Sequence, residues 1–384
     1  MRILHTSDWH IGRSFHGHAT LDALRGVLGS LVAQVREHDV DVVIVAGDIF
    51  DSAAPAAGCY AVLSDTLGAL SDAGATVIVT SGNHDSAARL GFQSALLRSG
   101  IHVVTDPLST GTPITVDDAH GPVHFYGIPF LEPALVRHLW PDAALRSQRQ
   151  TIEHAMDLVR ADSAVRGGRS VAIAHCFAAG VDATPGVERE IRQGSLDVVP
   201  VSAFDGPDYV ALGHIHGRQQ LSERVRYAGA PLHYSFGEAD KPRGSWLVDL
   251  DADGLSSAEW LPLPVPRRLV TIRGSLDELL GDERFAGDET AWVCAQYTDA
   301  TPQSDPMRRL LARFPFCATV LHTPVGVRGD DGLSYARRVR EARSDAELVD
   351  AFLVHVREGE GASEREIEVI REVIGEHTLA EASA

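Results

Sequence analysis

The sequence predicts an α/β layered fold, followed by a small α+β unit and a C-terminal helical hairpin. Three observations carry this expectation. Five short β-branched runs of strand length, most of them apolar on successive residues, each lead into a residue able to bind a metal ion. The stretches between them place apolar residues at helical spacing. Three prolines within five residues, Pro262, Pro264 and Pro266, then mark a change of character.

Taken in order, Arg2 to His5 leads into Asp8, and Val40 to Ala46 leads into Gly47-Asp48. Val77 to Thr80 leads into Gly82-Asn83-His84-Asp85, Val171 to Ala174 into His175, and Tyr209 to Leu212 into Gly213-His214. Runs of this length without polar alternation are strands covered on both faces. Leu21 to Glu37 and Tyr60 to Ala73 suit the covering helices. In open α/β sheets, ligands gather beyond the carboxyl ends of the strands, where all five runs place their polar residue. Five distant segments are therefore expected to feed one site.

Ser245 to Leu250 and Leu255 to Leu261, joined by a turn at Ala252-Asp253-Gly254, form a hairpin that closes the first domain, residues 1–265. The prolines resist both helix and central strand, so a boundary is placed there. In the second domain, 266–326, apolar runs at Leu269 to Ile272, Trp292 to Tyr297 and Ala318 to Leu321 alternate with helical segments at Ser275 to Leu280 and Asp305 to Phe314. A linker at Gly326 to Gly332 precedes a helical element, 336–384. Ser344 caps Asp345 to Val356, Ser363 caps Glu364 to Ile374, and Gly359-Glu360-Gly361 breaks the two apart. Two helices this short, with Leu348, Phe352, Val356, Ile367, Ile370 and Ile374 on their apolar faces, must dock on something larger.

Composition narrows the function. The formal net charge is −19, so a surface that grips a polyphosphate unaided is not expected. The four cysteines lie far apart with no C-x-x-C pair, the N-terminus has no signal-peptide pattern, and no apolar stretch approaches the roughly 20 residues of a membrane span. A cytoplasmic protein without disulfides and without membrane insertion is expected. His5, His16 and His18 are expected to be surface or loop residues, and Cys176 a small apolar packing residue.

The chemistry rests on Asp8, His10, Asp48, Asn83, His175, His214 and His216. Asp8-x-His10 and His214-x-His216 each put two donors on one side of an extended segment. Gly47 and Gly82 place a permissive residue directly before a donor, as close approach to an ion demands. Oxygen and nitrogen donors without thiolate suit one or two hard or borderline divalent ions, Mn²⁺, Fe²⁺ or Mg²⁺, better than a structural zinc.

The D-x-H, G-D-x-x-D, G-N-H-D, lone H and G-H-x-H motifs, in this order over roughly residues 1 to 240, resemble the calcineurin-like metallophosphoesterase superfamily. Asp8-Trp9-His10-Ile11-Gly12, Gly47-Asp48-Ile49-Phe50-Asp51 and the segment from Tyr227 to Glu238 are similar to its SbcD family of nuclease subunits. The resemblance implies a metallophosphoesterase β-sandwich flanked by helices, with residues 266–326 as a capping domain. It implies two divalent ions, Mn²⁺ foremost, with Asp48 as bridge. The first ion is then held by Asp8, His10, Asp48 and His216, the second by Asp48, Asn83, His175 and His214. Two such ions and two aspartates leave a balance of about +2 for a hydroxide and a phosphate oxygen.

By the same resemblance His84 contacts the scissile phosphate and assists the leaving oxygen. As carboxylates often orient catalytic imidazoles, the Asp51 carboxylate could accept from His84 and fix its tautomer, and Asp51 could equally cap a helix. The expected activity is exonuclease and hairpin-opening endonuclease action on DNA. The expected partners are an SbcC-type SMC-like ATPase and a second copy of the chain, as a homodimer within a heterotetramer. A small-molecule phosphodiesterase or phosphatase, and a non-catalytic scaffold, are the competing functions. Arg13, Arg89, Arg189, Arg192 and Arg218 follow motif segments and are candidates for phosphate contacts or simply solvated residues.

Overall fold

A computed structural model describes residues 1–178, 198–325, 344–356 and 361–370. Its centre is a pair of six-stranded sheets. The first runs in the order Gly254–Pro262, Gly244–Asp251, Arg2–Thr6, Val42–Ala46, Thr76–Thr80, Ile101–Val104. Its last four strands are parallel, and the Gly244–Pro262 hairpin closes one edge antiparallel. The second runs Gln219–Gln220, Val225–Tyr227, Tyr209–Gly213, Arg169–His175, Gly121–Gly127, Ile114–Asp118, with its four inner strands parallel and both edges antiparallel.

The strand period of two explains why the central runs carry no polar alternation. Along Val42–Ala46, Val42, Ile44 and Ala46 face the second sheet and join Ile3, Ile78, Phe125, Val171, Ile173 and Ala211 in the layer between the sheets. Val43 and Val45 face the other way, onto Leu24, Leu28, Leu31 and Val35 of helix Leu21–Glu37 and Val62, Leu63 and Leu67 of helix Ala57–Asp72. Behind the second sheet, Ala172, Ala174, Val210 and Leu212 pack on Ile152, Met156 and Val159 of helix Gln148–Arg166, whose first turn is capped by Ser147. The result is the expected layered α/β sandwich flanked by helices.

One expectation is overturned. His5 is not a surface residue: it is fully buried between the sheets, while His16 is exposed and His18 half-buried. The apolar strand that carries His5 takes it into the interior, where its ring finds two partners on the opposite sheet. All four cysteines are free and buried.

Strands Leu269–Gly274, Trp292–Tyr297 and Cys317–His322 make a three-stranded sheet, with helices Leu276–Gly281 and Pro306–Leu311. Ser275 and Glu278 form a reciprocal capping box at the start of the first of these helices. The chain divides into two compact units, Met1–Gln296 with Ser304–Leu321, and Tyr297–Gln303 with His322–Ala384. In the second unit, helix Asp345–Val356 opens at Ser344, whose hydroxyl accepts from the Glu347 amide. Ser363 opens a helical stretch at 364–370, and Asp350 accepts from the Ala362 amide to tie the two together. Leu348, Val349, Phe352 and Val369 are exposed there. The expected linker at Gly326 to Gly332, most of the Gly359-Glu360-Gly361 break and Ile374 lie outside the described residues, as do Arg189 and Arg192. Among the described residues, no helix is long and apolar enough to cross a membrane.

Candidate metal centre

The parallel strands of both sheets end at one rim, and their following loops bond to each other. The loop after Arg2–Thr6 runs beside the loop after Val42–Ala46: Asp8, His10 and Ile11 donate backbone N–H groups to Gly47, Asp48 and Ile49. Asp85 adds a third loop, its carboxylate accepting from the amides of Ile49, Phe50 and Gly82 at 2.8–3.0 Å. His5 joins the sheets directly below: Nε2–H donates to the Leu212 carbonyl at 3.2 Å, and Nδ1 accepts from the Tyr209 hydroxyl at 2.8 Å.

Getting donors off strand ends and onto one point requires unusual backbone. Asp8, His10, Asp48 and His214 all have positive φ, at 52°, 44°, 51° and 105°. Asp and His tolerate the left-handed region better than most side chains, and such outliers concentrate at functional sites. Gly47, at φ +79°, and Gly82 complete the arrangement. A Cβ on Gly47 would strike the His175 ring, and one on Gly82 would strike Asp48.

Asp48 is the common point. Its Oδ2 lies 3.4 Å from His175 Nε2, 3.6 Å from His10 Nε2 and 4.0 Å from His84 Nε2, while its Oδ1 accepts from the His84 amide at 2.9 Å. On one side, His10 Nε2 and His216 Nε2 are 3.1 Å apart, and Asp8 completes a three-donor group with them. On the other, Asn83 Oδ1 faces His175 Nε2 at 3.0 Å and His214 Nδ1 at 3.1 Å. Asp8 also reaches across, accepting from the His214 amide at 3.0 Å and from Ser7 Oγ at 2.5 Å. The structure thus brings all seven sequence-derived donors into one buried cluster, with only Asn83 half-buried.

Electrostatics within the cluster centre on the Asp48 carboxylate and the imidazoles around it. Burial alone would push the Asp48 carboxyl up, but the imidazoles of His175, His10 and His84 hold it well below the usual range. Burial likewise works against a charged His175, yet the Asp48 carboxylate outweighs it and raises His175 to about 9. His214, buried and beside that charged ring, falls to about 3, and burial lowers His10 despite Asp51 and Asp48. A proton on His175 thus balances part of the Asp48 charge. The donor set fits a pair of such ions: two carboxylates, one amide oxygen and four imidazoles converge with no thiolate.

His84 stands apart from the donors in being partly open to solvent, with 16% of its side chain exposed. Its Nδ1 meets the main-chain carbonyl of Asp51 at 2.8 Å. The Asp51 carboxylate, expected to take this place, instead lies 3.5 Å from His10 Nδ1 and 3.4 Å from Arg13. A short loop brings its carbonyl to His84 while the side chain swings toward the first donor segment. Arg13 also sits over the Tyr234 ring, Arg89 donates to the Ala53 carbonyl, and Arg218 sits over Trp260. Sequence reading gave no role to Ser7, Asp85 or Glu238, which support the donors from behind; Asp85 was legible as the last residue of Gly-Asn-His-Asp, Glu238 as a carboxylate in a largely apolar segment.

Residues 1–218 match the calcineurin-like phosphoesterase family. The chain belongs to this family. Membership makes it a metal-dependent phosphoesterase, and the clustered donors are of the kind a dimetal site in this family needs. Residues 265–356 match a second family, SbcD_C, described as the Type 5 capsule protein repressor C-terminal domain, so the chain is SbcD-like in its domain content. Among solved structures, the chain is similar to TT1561 of Thermus thermophilus, with TM-score 0.39 and 14% identity over 68% of this chain and 98% of that one. It is also similar to a dimetal phosphatase from Danio rerio, with TM-score 0.41 and 12% identity over 69% of this chain and 99% of that one.

Proposed function

We propose that this phosphoesterase is a Mn²⁺-dependent DNA nuclease of the SbcD type, acting as exonuclease and hairpin-opening endonuclease in DNA repair and recombination. The observation that carries the chemistry is Asp48, whose one carboxylate oxygen lies within 4.0 Å of three imidazoles drawn from different segments of the chain. In this reading Asp8, His10, Asp48 and His216 hold one ion, and Asp48, Asn83, His175 and His214 hold the other. When bound, the pair supplies neutralisation of phosphate charge and a water-derived nucleophile at neutral pH.

The chain's own residues position and move protons around that pair. His84 Nδ1–H is committed to the Asp51 carbonyl, so any proton His84 passes to a departing oxygen travels through Nε2, on the Asp48 side. The Ala46 carbonyl accepts from His175 Nδ1 at 2.9 Å, which leaves Nε2 to face the cluster. The three-loop bonding through Asp85 keeps the Asp48 and His84 segments in fixed relation without the substrate's help.

DNA as substrate is supported by the second family match and by the resemblance of the motif segments to SbcD nucleases. The acidity of the chain suits a division of labour. Residues 1–265 carry the chemistry, 266–326 cap it, and 336–384 dock on an SbcC-type SMC-like ATPase that supplies much of the DNA grip, within a heterotetramer built on a homodimer of this chain. The exposed Leu348 and Phe352 are where such a docking element would bind.

Cleavage of blunt and hairpin duplexes by the purified chain, with and without the ATPase and across metals, tests the reading. Mn²⁺-dependent shortening and opening are expected. Hydrolysis of nitrophenyl diesters with no action on DNA under any of these conditions would refute it in favour of a small-molecule phosphodiesterase. His84→Gln is expected to abolish cleavage while metal content stays at the parent level; unchanged turnover would remove His84 from its role.

A further inference from the structure

The segment from Tyr227 to Glu238 ends in a carboxylate that the proposed chemistry does not use. Glu238 is fully buried directly behind the donor cluster. Its Oε1 lies 3.4 Å from His216 Nδ1. Its Oε2 accepts from the Tyr234 amide at 3.2 Å and lies 3.3 Å from Arg243 Nη1. Arg243, also buried, donates from the same nitrogen to the His216 carbonyl at 2.7 Å and to the Ala230 carbonyl at 3.2 Å. Arg243 therefore holds the His216 main chain by a hydrogen bond, while Glu238 Oε1 and His216 Nδ1, both buried, face each other at 3.4 Å.

The opposite edge of the ring faces the cluster, with His216 Nε2 3.1 Å from His10 Nε2. A neutral imidazole has one lone pair, and a ligating ring needs it on the metal side; the nitrogen behind then carries the proton and donates it to a fixed acceptor. Glu238 Oε1 is the carboxylate oxygen facing that nitrogen, at 3.4 Å. We infer that Glu238 is a positioning residue: its Oε1 holds His216 in the Nδ1–H tautomer with Nε2 turned to the first ion, and Arg243 fixes the carboxylate and the His216 backbone together. This rests on the ligand role proposed for His216.

The geometry makes Glu238→Gln a sharp probe. The Tyr234 amide donates to Oε2 and the Arg243 guanidinium lies 3.3 Å from it, so the glutamine oxygen is drawn there and its NH₂ turns to His216 Nδ1. Nδ1 must then accept, the proton moves to Nε2, and the lone pair is lost from the metal side. The variant keeps its volume and reverses only the tautomer instruction.

The experiment titrates the metal-free full-length chain with Mn²⁺ and follows ion binding by EPR and calorimetry. The parent is expected to take up two ions. Glu238→Gln is expected to bind one of them about 10–100-fold more weakly and the other unchanged, and His216→Gln should weaken the same one. Two ions bound by the variant with parental affinities, or equal weakening at both positions, would overturn the inference while leaving the metal centre intact. A parent that binds no Mn²⁺ would instead refute the proposed metal centre. A second measurement needs no folded Glu238 variant: ¹⁵N-histidine NMR of the metal-free parent, with His216 assigned by its loss in His216→Gln. An Nδ1–H tautomer is expected, and Nε2–H would overturn the positioning role.

Discussion

His5 gives the fold an acid-sensitive seam directly beneath the donor cluster. Its ring has both nitrogens occupied in the neutral form, Nε2–H by the Leu212 carbonyl and Nδ1 by the Tyr209 hydroxyl. Complete burial, with a nearby Arg226 charge adding to it, lowers its pKa from 6.5 to about 3. The unfolded chain therefore binds a proton between those values and the folded chain does not. A depressed folded pKa stabilises the fold above about pH 6.5 and loses that contribution as the pH falls toward 3. Between about pH 7.5 and about pH 5 the loss from this one ring is about 2 kcal/mol. The test is urea unfolding at a series of pH values, with chelator present so that no ion binding contributes, on the parent and on His5→Gln. The glutamine keeps a donor for Leu212 but cannot titrate. It is expected to be less stable at neutral pH because Tyr209 loses its acceptor, yet its stability should fall less steeply with acid, by that ~2 kcal/mol across the interval. Parallel curves for the two proteins would refute the reasoning.

The remaining predictions concern the site and its surroundings. Since Asp48 holds His175 protonated up to about pH 9 in the metal-free chain, the ring's contribution to metal-free stability is fully present below pH 6.5 and lost through about 9. Ion uptake must displace that proton, so Mn²⁺ affinity should rise with pH up to about 9, with proton release visible as a buffer-dependent calorimetric heat; a buffer-independent heat would contradict it. Gly47→Ala should lower stability by about 2 kcal/mol or more and weaken ion binding, because left-handed backbone disfavours a Cβ and this one meets the His175 ring; wild-type metal content at full stability would count against the close-approach argument. Removing residues 336–384 should abolish capture of the ATPase in a pull-down while sparing Mn²⁺-dependent diester hydrolysis; retained capture would move the docking element elsewhere.

The central strands were legible because each is apolar on both faces, and a run such as Val42 to Ala46 admits few other structures. What the runs could not convey was their division between two sheets, since an inward-facing Ile44 and an outward-facing Val45 look alike in one dimension. The strand Ile114–Asp118 sits at an edge, half-exposed and polar at its end, and helix Gln148–Arg166 buries Gln148 and Thr151 as well as aliphatics; neither presents a clean period. In the site, the donor residues showed themselves through short spacings and preceding glycines. Their supports did not, because Glu238 is 22 residues from His216 in the chain and reaches it only through the folded loop. Asp51 illustrates a different limit. Sequence proposes side-chain chemistry, and here the main-chain oxygen meets His84. His5 was misplaced for the same reason as Glu238: its partner Tyr209 is 204 positions away.

The left-handed backbone at Asp8, His10, Asp48 and His214 changes what mutagenesis of this rim measures. Replacing any of these by alanine removes a donor and also installs a side chain that resists the local turn, so a lost activity would blend two injuries. Asparagine, which accepts that turn readily and keeps a polar tip, separates the injuries at positions 8, 10 and 48. A designer wishing to retune which cation the rim prefers is accordingly confined to a small alphabet of glycine, asparagine, aspartate and histidine. The loops dictate that alphabet before the metal does.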